Sequence, residues 1–98
     1  MDVKQAVSTA KSYVGELFAS EDISELGLEE VSLDESSGEW RVTVGFARPW
    51  EKAAEKEAMS ASAWFGPKPI PPRRSYKIVR ISDKTGSIVA VQNRDGAR

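Results

Sequence analysis

Between Glu39 and Arg48 the chain alternates for five cycles, with Trp40, Val42, Val44 and Phe46 at every second position. Arg41, Thr43, Gly45 and Ala47 fill the gaps. A period of two belongs to a β-strand, whose successive side chains point to opposite faces. One face of this strand is too bulky and apolar to stand in water, so another element must lie on it. The first segment can do this. Val3, Val7, Ala10, Val14 and Leu17 recur at spacings of four and three, and Ala6 and Phe18 widen the stripe. With Lys4, Gln5, Ser8, Lys11, Ser12 and Glu16 between them, the pattern predicts an amphipathic helix over roughly residues 2–19. Its stripe is expected to cover the Trp40–Phe46 face.

Two further alternations complete the plan. Residues 29–35 place Val31 and Leu33 on one side and Glu30, Ser32 and Asp34 on the other, a half-buried strand. Ser36-Ser37-Gly38 is turn chemistry, so residues 29–35 and 39–48 should form an antiparallel hairpin. A second hairpin is expected from strands over 75–82 and 87–93. Asp83-Lys84-Thr85-Gly86 joins them, with Gly86 suited to positive φ. The apolar run in 75–82 fits either a central strand with both faces partly covered or a strand whose register a bulge shifts. Ser20 to Gly27 breaks both periods. Its acidic residues lack calcium-loop spacing, and the stretch reads as a solvated connection. The expected fold class is α+β: one N-terminal helix packed across a four-stranded antiparallel sheet of two hairpins. It should form a single domain over 1–98, with a long loop between strands 2 and 3 and a meander as the simplest strand order.

That loop, residues 49–73, is longer than ordinary connections. Its first part is rich in Ala, Glu, Lys and Met and can be partly helical. Gly66, Pro67, Pro69, Pro71 and Pro72 then require extended chain. Trp50, Trp64, Phe65 and Ile70 make it apolar as well as long. Three uses stay open: covering the free face of the sheet, self-association, or holding a partner. The PxxP-like run ending in Arg73 and Arg74 reads as a stiff connector.

Composition narrows the chemistry. The chain has no cysteine and no histidine, which removes disulfides, thiolate metal sites, cysteine nucleophiles and the usual acid–base side chain near neutral pH. We therefore read it as non-enzymatic, with no catalytic residues, no metal and no cofactor. Hydrophobic residues at 40% and charged residues at 30% are ordinary for a globular domain. The net charge of −1 hides a split. Residues 1–39 carry two cations and ten anions, and residues 40–98 carry twelve cations and five anions. In a compact fold the two halves attract each other. No apolar run is long enough to span a bilayer, and the opening does not read as a signal peptide, so a cytoplasmic location and no membrane partner are expected. Arg73, Arg74, Lys77 and Arg80 form a basic run, with Arg41 and Arg48 nearby. It reads as a solvated sheet edge, where cations discourage pairing. A nucleic-acid partner is not expected, since neither the basic excess nor a known motif is present.

The segments Glu39-Trp40-Arg41-Val42-Thr43-Val44-Gly45-Phe46, Ser75-Tyr76-Lys77-Ile78-Val79-Arg80-Ile81 and Asp83-Lys84-Thr85-Gly86-Ser87-Ile88-Val89 together resemble the PepSY-like group of small domains. In that group a strand of Trp-x-Val type pairs with a hairpin of Tyr-x-Val-x-Ile-Asp-x-x-Thr-Gly-x-Val type, and here the turn is Asp83-Lys84-Thr85-Gly86. Similar patterns occur in cystatin-like folds and in gas-vesicle accessory proteins. The resemblance spans roughly residues 1–94. It implies a helix across a curved antiparallel sheet and non-catalytic work, such as inhibiting or chaperoning a partner. The functional expectation is a protein-binding module using Trp50, Trp64, Phe65, Ile70, Arg73 and Arg74. The alternatives are a self-associating structural protein and an anion binder using Arg73, Arg74, Lys77 and Arg80.

Overall fold

The structure is a computed structural model that describes residues 1–51 and 74–94. Helix α1 (Val3–Leu17) is followed by a short 3-10 turn (Ala19–Glu21) and four strands: β1 (Ser24–Asp34), β2 (Glu39–Ala47), β3 (Ser75–Ser82) and β4 (Ile88–Asn93). They form one antiparallel sheet in the order β1-β2-β3-β4, so the fold is α+β with a meander.

Asp2 starts the helix. Its carboxylate accepts from the Gln5 backbone N–H at 2.8 Å, and the Gln5 side chain accepts from the Asp2 N–H at 2.8 Å. This reciprocal cap satisfies two donors that the first helical turn leaves without partners. Phe18 closes the other end, and the chain turns away through Asp22 in the left-handed region at φ 51°.

The helix buries a narrower stripe than the sequence suggests. Ala6, Ala10 and Val14 are fully buried, one above the other at a spacing of four. Val3 and Leu17, assigned to the same stripe, remain 45% and 50% exposed. The small alanines let the helix approach the sheet closely, and its buried ridge meets Val42, Val44, Phe46, Val79 and Ile81. Along β2, the apolar set of the alternation does face the helix.

β1 begins at Ser24 and so takes in part of the acidic stretch read as a solvated connection. Its period was hidden because the register shifts twice, between Ser24 and Gly27 and between Leu28 and Glu30, and Glu25 sits at φ 57°. Each extra residue in a bulge resets which face the next side chain takes. β3 satisfies both readings of its apolar run. It is central, paired to β2 and β4, and its register with β4 shifts between Arg80 and Ile81. The basic run on β3 is therefore not a sheet edge.

The two hairpin turns lie side by side, joined by a hydrogen bond of 2.9 Å from the Asp83 N–H to the Gly38 carbonyl. Gly38 and Gly86 take φ of 67° and 73°, as these turns require. Trp40 donates its indole N–H to the Asp83 carboxylate at 2.8 Å, and the N-terminal ammonium lies 3.5 Å from the same oxygen. The indole hydrogen bond first, with the ammonium as a smaller cause, holds the Asp83 carboxyl below its usual value.

Candidate functional site

The opposite end of the molecule gathers the C-terminus of α1, the start of β1, the end of β2 and the start of β3. Arg48 organises it. The residue follows β2, and its guanidinium lies 5.5 Å from the centre of the Phe18 ring, 5.6 Å from Phe46 and 5.3 Å from Trp50. Phe18 and Phe46 meet at 5.2 Å with a 39° tilt, so the two rings form a wall under the cation. Glu21, on the 3-10 turn, places a carboxylate oxygen 3.6 Å from the guanidinium. Among the described residues the buried Arg48 Nε has no hydrogen-bond partner, enclosed where the ring contacts crowd the side chain. Lys77 approaches the Phe18 ring as a second cation at 5.6 Å.

The local sequence fixes Arg48. Pro49, Trp50 and Glu51 take helical backbone directly after it. Proline is favoured at a first helical position because its missing N–H would have no partner there. Glu51 reaches back and accepts the Arg48 N–H at 2.9 Å. The same carboxylate accepts the Ser75 hydroxyl at 3.1 and 3.2 Å. Glu51 therefore ties the exit of β2 to the entry of β3 as well as capping the turn.

Trp50 stands outside this group, 57% exposed, with one face over Arg48. Of the residues expected to hold a partner, it is one that the structure displays. Arg74 is placed in the description too, but it is engaged within the molecule. Its Nη2 donates to the Glu25 carbonyl at 2.6 Å, and its Nη1 lies 3.5 Å from the Glu25 carboxylate. It holds the bulge of β1. Trp64, Phe65, Ile70 and Arg73 lie outside the described residues.

The cations of the basic run do not converge. Lys77 pairs in register with Val44 and sits on the helix side of the sheet, whereas Arg80 pairs with Arg41 on the other side. Arg80 donates to Glu39 at 2.8 Å and lies 2.7 Å from the same carboxylate oxygen through Nη2. Among the described residues, no three Asp or Glu side chains are grouped as a metal site requires. No described helix is long and apolar enough to cross a membrane.

From sequence Arg48 is placed only beside the basic run, Glu51 is not singled out, and Phe18 belongs only to the helix stripe. A signal was present for the first two: Arg48-Pro49-Trp50-Glu51 has the proline and the back-reaching carboxylate of a helix start. Phe18 was recognised as apolar, but its role depends on Phe46, far away in the chain. What the group offers is binding chemistry: an exposed indole, a delocalised cation and a rigid support beneath them. In comparisons with family models, with curated proteins and with solved structures, nothing matches this chain.

Proposed function

We propose that this chain is a non-catalytic protein-binding module of the PepSY-like, cystatin-like kind, working in the cytoplasm to inhibit or chaperone a partner. Its contact surface centres on Trp50. The supporting observation is that Trp50 projects 57% exposed from a support that is itself held in place. Arg48 beneath it is fixed by two rings, by Glu21 and by the Glu51 turn. Tryptophan and arginine are the residues that most often dominate binding energy at interfaces. A preorganised anchor also loses little side-chain freedom on association.

The test is capture of a partner from host lysate, followed by titration calorimetry with the purified partner. Trp50→Ala should leave the circular dichroism spectrum and melting temperature nearly unchanged, because the side chain is mostly in water. It should weaken affinity at least about tenfold, roughly 1.4 kcal/mol. Unchanged affinity would move the contact surface elsewhere.

A further inference from the structure

On the side of α1 that faces β1, a shallow trough runs between the first half of the helix and the middle of the strand. Val3, Val7, Leu28 and Val31 line it, and Lys4 and Lys11 stand along the helix wall. Val3 is 45% exposed and Leu28 44% exposed, so the floor is apolar and open. The reason lies in the packing. The fully buried core that Ala6, Ala10 and Val14 join is drawn from β2 and β3, whereas on β1 Val31 is only partly buried and Leu28 stays exposed, so the helix-side face of β1 is incompletely covered here. Lys4 and Lys11 are the only two cationic side chains among residues 1–39, against ten anionic ones. Both line this trough. They are seven residues apart, two helical turns, so they share one face at a rise of about 10 Å.

We infer that this trough is a docking groove for an acidic amphipathic peptide segment of a partner protein, separate from the Trp50 surface. The apolar side of the segment lies on Val7, Leu28 and Val31, and two carboxylates about two helical turns apart meet Lys4 and Lys11. Charge decides the occupant. Two cations held about 10 Å apart call for two separated anions, which a helical peptide supplies and a single-headed amphiphile does not. Openness points the same way, since small ligands bury most of their surface in enclosed pockets, whereas a helix needs only a trough for one face. The lysines set register and encounter rate, and the apolar floor supplies the area.

The probe is a small panel of synthetic helical peptides of about fourteen residues with leucines on one face and glutamates two turns apart. They are titrated into the full-length protein and followed by backbone amide NMR. Shifts confined to residues 3–12 and 28–31, weakened at least about tenfold by Lys4→Glu with Lys11→Glu, would support the groove. Added salt should also weaken this binding. Lys4 is exposed and Lys11 half-buried, so circular dichroism checks that the double variant is folded; Leu28→Asp, on the strand, provides an independent second check. No binding by any peptide overturns the inference. So does equal binding by versions with lysine in place of glutamate, or shifts that map elsewhere. Binding of decanoate in the trough without peptide binding assigns it to a lipid-like ligand instead. Concentration-dependent dimerisation abolished by Leu28→Asp assigns it to a second copy of the chain. Either result overturns the peptide.

Discussion

At the residue scale, Asp83 carries more than its position in a turn suggests. Its carboxylate receives the Trp40 indole N–H and faces the N-terminal ammonium, and both favour the ionised form. Asp34 is also held low, first by the Ser36 hydroxyl, in the neighbouring hairpin turn. A carboxyl whose folded value lies below the unfolded one stabilises the fold above the ordinary value of 3.8. That contribution is lost as pH falls through the lowered value. Stability should therefore decline on acidification below that ordinary value. Asp83→Asn keeps an acceptor for Trp40 but removes the charge, and should flatten this decline. Urea melts across acidic pH would check it, with Trp40 emission as the reporter in a Trp50→Phe, Trp64→Phe background. An unchanged slope would show that Asp83 does not carry the dependence. The lysine for carboxylate logic at Lys4 and Lys11 belongs to this scale too, but it depends on where the helix lies, which no single residue specifies.

At the scale of the elements, β2 decides the fold, and one of its residues shows how tightly it is packed. Gly45 lies on the face away from the helix, opposite Tyr76 in the β2–β3 register and opposite Gly27 in β1. A methyl group there would stand 3.0 Å from the Tyr76 ring and 3.1 Å from the Glu29 carboxylate. Arg94 lies 3.8 Å from the centre of the same ring, which limits how Tyr76 can retreat. Gly45→Ala should destabilise the protein by about 1–3 kcal/mol, the usual cost of overpacking, measured by chemical denaturation. Tyr76→Ala in the same chain should recover part of that loss. These elements differ in how legible they are from sequence. β2 and α1 follow an unbroken period, and the residues alone indicate their type and facing. The first half of β1 is not legible, because two bulges and a positive φ at Glu25 reset its alternation. The position of β3 in the middle of the sheet was one of two readings. Its apolar run does not distinguish a central strand from a bulged one, and β3 is both central and bulged.

At the scale of the whole molecule, the surface expected to bind a partner was legible only in part. Trp50 could be singled out as an aromatic on a long connection. Arg74 looked equally available, yet its partner Glu25 lies 49 positions away, and pairings of that range leave no trace in local pattern. The trough beside α1 was hidden for a similar reason: Lys4 and Lys11 read as an ordinary solvated face until the fold set them beside Leu28 and Val31 of β1. A prediction at this scale concerns the segment between the hairpins. Replacing residues 52–73 with a short Gly/Ser linker should preserve the sheet, seen as an unchanged β signature in circular dichroism and a cooperative melt. The β2–β3 pairing runs unbroken from Phe46↔Ser75 to Glu39↔Ser82, and Glu51 bonds Ser75 directly. Loss of cooperative folding would show instead that the segment is part of the core.

The Glu51–Ser75 bond has a consequence for how such a chain can change over time. The two ends of the interval are fastened to each other, so the closure cost itself changes only weakly with the length between them, by about 0.6 kcal/mol for each doubling. If the linker replacement keeps the cooperative melt, insertions and deletions in that interval are nearly neutral for folding. Under that outcome selection acts on what the interval does without first having to preserve the architecture that carries it, and the position is a natural splice point for grafting a foreign recognition sequence.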